Sequence, residues 1–192
     1  MTHEPPADLP DVDRRELDAT EEAMHTLPYG IYVIGSVEQG DDGEQQPNGM
    51  IADWVMQVSF QPRLVAVAFE HDSSSLARIR NNDAFTVNLL IAEQDGLELA
   101  RHFVQPSDGS KVKGRSAEAQ AQRHDKLAGV DYSTTEAGCP VLDDALAWLS
   151  CEARQFVDAG DHTVVIGRVL EGDLSGEGEP MTTPYTGWTY SG

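Results

Sequence analysis

The chain predicts a mainly β domain in which six antiparallel strands form a barrel or sandwich under a few covering helices. Two observations predict it. Six runs are apolar, β-branched or alternating: Ile31 to Val37, Met50 to Phe60, Leu64 to Glu70, Ala84 to Ile91, Ala145 to Val157 and His162 to Leu170. Between them lie short stretches with apolar residues at helical spacing, from Ser73 to about Asn82 with Leu76 and Ile79 inward, and from Glu93 to Phe103 with Leu97, Ala100 and Phe103 inward.

The first strand is preceded by a segment that starts like a helix. Asp13 with Glu16 three residues later has the spelling of a capping box, and Leu17, Met24 and Leu27 share one face before Pro28 and Gly30 end it. Residues 1–12 are rich in Pro and acid, offer little to bury and read as a disordered tail, with one domain over 13–192. The Gly-, Asp- and Gln-rich stretch from Glu38 to Asn48 suits a hairpin loop, and Pro62 separates the second and third strands. A long polar stretch from Val104 to Pro140 suits a functional loop, and its Ala117 to His124 portion suits a further helix.

Composition narrows the partners. A net charge of −20 in 192 residues repels nucleic acid and anionic membrane surfaces, so neither is an expected partner. Ten Arg outnumber three Lys. Such a Lys-poor acidic surface fits a halophile-like protein, because screening shortens repulsion to roughly 3 Å at 1 M salt; it fits an acidic mesophilic protein equally well. Two cysteines, no basic-then-apolar N-terminal segment and no long apolar run predict a cytoplasmic chain.

Familiar catalytic spellings are missing. The sequence has no Walker-type phosphate loop, no G-x-G-x-x-G turn and no G-x-S-x-G elbow, and its His and Cys do not fall at metal-ligand spacing, so no metal site is expected. Cys139 and Cys151 read as packing residues rather than a redox pair, and Trp148 as core. What remains is Ser73-Ser74-Ser75 at a helix start, where hydroxyls and free N–H groups either cap the helix or surround an anion. The second feature is the run from Asn48 to Pro62. Its Gly49 and Ala52 leave room for close approach by a ligand, and Trp54 offers a flat apolar face.

These blocks, in this order, resemble the flavin reductase-like, FMN-binding split-barrel family. The small-residue segment ending in Val58-Ser59-Phe60-Gln61-Pro62 is similar to the family's flavin-crossing run, and Leu64 to Phe69 to the strand that follows it. Ser73 and Ser75 match its Ser-x-Ser/Thr phosphate motif, and Phe85-Thr86-Val87-Asn88 its Phe-x-Val-Asn strand. Gly138 to Leu142, Ala145 to Cys151 and Gly160-Asp161-His162-Thr163 extend the likeness, as does Thr186 to Gly192, so that it spans about residues 26–192.

The resemblance implies a six-stranded antiparallel Greek-key split barrel, a homodimer with FMN, or FAD, near the subunit interface, and hydride transfer from NAD(P)H to flavin. The reduced flavin would then serve an oxygenase, a ferric ion or another electron acceptor. Ser73 and Ser75 would hold the phosphate; Ile51, Ala52, Asp53, Trp54 and Val55 would line the flavin; His162 would act on the nicotinamide side as the catalytic residue. The same histidine also suits a structural hydrogen bond at its hairpin. Ile51 stands where the family often has Thr, and Asp53 where it often has Asn. A carboxylate lacks amide donors and repels a phosphate unless protonated or turned away. These departures favour the alternative of a non-catalytic FMN-binding protein or electron carrier.

Overall fold

The computed structural model describes residues 18–40, 43–104 and 125–188. Within them α1 spans Ala19–His25, β1 Tyr32–Gln39, β2 Gln45–Ala52, β3 Val55–Phe60, β4 Arg63–Glu70, α2 Ser74–Asn82, β5 Ala84–Leu89 and α3 Gln94–Val104. β6 (Tyr132–Thr134), β7 (Pro140–Leu142), β8 (Ala147–Ala159), β9 (His162–Leu174) and α4 (Thr183–Thr186) follow.

Seven strands form one antiparallel sheet in the order β2-β1-β5-β8-β9-β4-β3, and β6 with β7 forms a separate hairpin. The expected count of six fails at one place. The run from Met50 to Phe60 is the end of β2 and the whole of β3, broken at Asp53-Trp54. β2 pairs with β1 at one edge of the sheet and β3 with β4 at the other, so these two residues carry the chain between edges. The structure therefore shows one open sheet of seven strands, where a six-stranded split barrel was expected.

Three smaller expectations also shift. The 38–48 loop is mostly strand, since β1 runs on to Gln39 and β2 begins at Gln45. The helix start lies at Asp18, whose carboxylate accepts from the Thr20 and Glu21 N–H groups while Glu21 accepts from the Asp18 N–H. Asp13 to Leu17 lies outside the described residues, as does the helix expected over Ala117 to His124. Trp148 is half-buried and belongs to neither core cluster.

The alternation of β1 sorts the interior into two cores. Ile34 faces inward with Val65, Val67, Phe69, Phe85, Val87 and Val165, closed by Leu76 and Ile79 of α2. Val33 faces outward and is buried with Ile31, Leu90 and Leu142 under Leu97, Ala100 and Phe103 of α3. The room at Gly49, expected for a ligand, is taken by α3: a Cβ there would sit 2.4 Å from the Phe103 ring.

Asn88 fastens the outer core to the sheet. It is fully buried on β5; its amide donates to the Val33 carbonyl at 3.0 Å, and its Oδ1 accepts from the Leu142 N–H at 3.0 Å. One side chain thus joins β1, β5 and β7. Removing it strands a buried N–H and a buried carbonyl, each costing the desolvation of an unpaired polar group. Asn88→Ala is expected to lower unfolding free energy by about 2–4 kcal/mol, read from the midpoint of denaturant unfolding at unchanged slope.

Cover is uneven across the sheet. α3 and the β6–β7 segment lie over the outer face of β1, β2 and β5. The other half presents rows of apolar side chains on its outer face: Met56, Ala66 and Ile166 in register on β3, β4 and β9, then Ala68, Val164 and Val157 on β4, β9 and β8. Met56 is 63% exposed and Val157 44%. No helix of the described residues covers this half, and none is long and apolar enough to cross a membrane.

Candidate functional site

The edge-to-edge crossing at Asp53-Trp54, the start of β9 and the N-terminus of α2 meet at one end of the sheet. Glu70 at the end of β4 pairs with His162, and three residues later Ser73 caps α2 with its Oγ 3.4 Å from the Met50 sulfur on β2. Chain connectivity therefore brings the two predicted motifs together.

Trp54 is the centre of a short aromatic row. Its ring centroid lies 4.9 Å from that of His162, tilted by 42°, and 6.5 Å from that of Tyr29, tilted by 51°. The indole is 36% exposed. Its backbone is held from both sides, since the Trp54 carbonyl accepts from Ala68 N–H at 3.1 Å and Val55 N–H donates to the Asp53 carbonyl at 2.9 Å. Tyr29 is placed by the C-terminal segment: its N–H donates to Thr183 Oγ1 at 3.1 Å and its carbonyl accepts from Thr183 N–H at 2.8 Å. Tyr29 sits between Pro28 and Gly30, where the sequence shows only a helix end.

The flanking residues of the run divide between the cores. Ile51 packs on the outer core, Ala52 and Val55 on the inner one. The Asp53 carboxylate folds back on the N–H groups of Asp53 and Trp54; burial pushes its pKa above the ordinary aspartate value, and those two hydrogen bonds partly offset the rise.

The two serines differ. Ser73 is the N-cap of α2, accepting from Leu76 N–H at 3.4 Å. Ser75 is buried in the inner face of the helix beside Leu76 and Ile79. In the first turn, the N–H groups of Ser74 and Ser75 have no acceptor among the described residues, as the geometry of a helix start dictates. An anion placed there would meet backbone donors rather than the Ser75 hydroxyl.

His162 opens β9 after a tight turn in which Gly160 takes φ +73. Its Nδ1 lies 2.6 Å from Asp161 Oδ1. Neighbouring His71 pairs through Nε2 with Asp158 at 3.1 Å, and its N–H donates to the Asp161 carbonyl. Elsewhere, burial pushes both thiols up to about 12, so Cys139 and Cys151 are free, inert packing groups. Among the described residues no three His, Cys, Asp or Glu side chains cluster as metal ligands. Clefts of about 420 and 250 Å³ open at the far end of β3 and β4, around Arg63 and Val169, and none of the predicted site residues lines them.

A mainly antiparallel sheet with these blocks in this order defines a flavin reductase-like domain. The family model of the flavin reductase like domain matches residues 24–189, and the chain belongs to that family. A high molecular weight rubredoxin of Moorella thermoacetica is 35% identical over 164 residues, covering 85% of this chain and 63% of its own length. The NADH:FAD oxidoreductase of Streptomyces globisporus C-1027 superposes with a TM-score of 0.67 at 26% identity, covering 94% of this chain and 89% of that one. Nitrilotriacetate monooxygenase component B of Mycobacterium thermoresistibile gives 0.67 at 25% identity, over 85% and 79%. The chain spans less than two thirds of the length of the first curated relatives it matches.

The buried charge at the crossing has a stability signature. Because folding raises the Asp53 pKa, the native state is penalised as pH climbs from 3.8 through the folded value. Asp53→Asn is expected to melt at a higher temperature than the parent at neutral pH. The difference should shrink as pH falls below 3.8, which parallel thermal melts across that range measure.

Proposed function

We propose that this chain is a dimeric, NAD(P)H-dependent flavin reductase of the cytoplasm that takes FMN, or FAD, at the Trp54 end of its sheet. The observation that carries the reading is the aromatic row Tyr29–Trp54–His162 beside the open N-terminus of α2. A flavin has the matching shape, a flat apolar ring with an anionic tail. The bound flavin would accept a hydride from the nicotinamide at N5 and pass its electrons to an acceptor.

In this reading the chain's own residues chiefly bind and orient. Trp54 covers one side of the ring, and Ala52, Asp53 and Val55 support it through their backbone. Ser73 Oγ with the Ser74 and Ser75 N–H groups holds the phosphate, which replaces the expected use of the Ser75 hydroxyl. His162 faces the nicotinamide. Ile51, packed on the outer core, shapes the strand rather than touching the ring.

Two further parts follow from the relatives and the sheet. The similar proteins include an NADH:FAD oxidoreductase and a monooxygenase component, which supports nicotinamide as donor and an oxygenase as acceptor. The bare apolar rows around Met56 and Ile166 support a second copy of this chain as the missing cover. They border the site, since His162 and Ile166 share the outer face of β9.

The Asp53 carboxylate supports one other reading, a protein that holds flavin without turning over nicotinamide, because it occupies a backbone N–H group in the run expected to line the flavin. Visible absorption separates the two. After loading with FMN and removing the excess, the protein should stay yellow and bleach anaerobically with NADH or NADPH. A yellow protein that never bleaches would leave only the binding role, and a colourless one that also oxidises neither NADH nor NADPH with FMN or FAD supplied in excess would overturn both. Trp54→Ala should weaken FMN binding by about tenfold, the weight of one ring contact.

A further inference from the structure

We propose that Asp161 is a positioning residue that fixes the tautomer and orientation of His162, an inference that rests on the reductase reading for its consequence but not for its geometry. The His162 side chain is 13% exposed and its Nδ1 lies 2.6 Å from Asp161 Oδ1. An ionised carboxylate only accepts hydrogen bonds, and the histidine beside it holds the Asp161 carboxyl below the ordinary aspartate value. The proton of a neutral His162 therefore sits on Nδ1, and Nε2 presents a lone pair.

The Asp161 carboxylate is 94% exposed and meets the ring from the solvent side, while Glu70 is the cross-strand neighbour of His162. The neighbouring Asp158 carboxylate is engaged by His71 at 3.1 Å, and the His71 N–H fixes the Asp161 backbone through its carbonyl at 3.3 Å. Gly160 at φ +73 sets the turn that brings residue 161 beside the ring, and the Trp54 indole packs against the imidazole. His162 Nε2 has no hydrogen-bond partner among the described residues.

A fixed acceptor at Nε2 selects a ligand group that donates. In a nicotinamide the carboxamide N–H has that character, whereas the opposite tautomer would present a donor and select the carboxamide oxygen, turning the group over. Asp161 thus acts on nicotinamide binding through His162, as an outer hydrogen-bond partner orients the histidine it touches.

The test needs no flavin for its first arm. Nitrogen-15 NMR of the ligand-free chain at about pH 9, where an ordinary imidazole is neutral, should show His162 protonated on Nδ1. Asp161→Ala should move the proton to Nε2, and Asp161→Asn, whose amide oxygen still accepts, should keep it on Nδ1. A parent already protonated on Nε2, or an Asp161→Ala chain with an unmoved proton, would overturn the inference. In steady-state bleaching, Asp161→Ala should raise the KM for NAD(P)H about three- to tenfold, the worth of one hydrogen bond, with FMN affinity unchanged and Asp161→Asn close to the parent. Loss of FMN affinity together with the KM effect would mark a merely structural role. A tautomer that moves as stated in a chain that oxidises no nicotinamide would support the positioning role and sink the reductase reading instead.

Discussion

A curled sheet has an outer face as well as an inner one, and both must be kept from water where they are apolar. Among the described residues a helix and a hairpin cover the outer face of β1, β2 and β5, and nothing comparable covers that of β3, β4, β8 and β9. The imbalance arises because β2 and β3 are neighbours in sequence yet lie at opposite edges. The two residues that bridge the edges, Asp53 and Trp54, lie between β2 and β3 at the sheet end. That bridge is where Trp54 meets His162.

The polar interior follows from the same arrangement. Asn88 ties the hairpin that covers one half of the outer face to β5 and β1, so the covered half is anchored from within. At the uncovered half, ordering falls to short-range devices: the Gly160 turn, the paired histidines and carboxylates of the β8–β9 tip, and the cap of α2.

Much of this was legible in the sequence. The runs at Ile31, Leu64, Ala84 and His162 are rich in β-branched residues, and the structure places strands on them with ends shifted by a few residues. The break at Asp53-Trp54 was not legible, because apolar alternation continues through it and no Gly or Pro marks it; only sheet pairing separates β2 from β3. β6 and β7, at three residues each, are too short to carry a period. The helix start was misplaced because Asp13 with Glu16 and Asp18 with Glu21 spell the same cap. At the candidate site, motif order pointed to Trp54 and His162, whose ring centroids the structure brings within 4.9 Å of each other. Tyr29 was missed because its position depends on a contact with Thr183, 154 residues away in sequence.

The claim on which the account turns is that the bare half of the sheet is completed by a second copy, and that this completes the flavin site. Sedimentation combined with FMN titration on the parent chain and on a Met56→Glu/Ile166→Glu variant tests it directly, with circular dichroism confirming that both are folded. The account predicts a dimeric parent, a monomeric variant and FMN binding on the order of tenfold weaker in the variant. A parent that stays monomeric while binding FMN, or a monomeric variant that binds it as tightly, would contradict it.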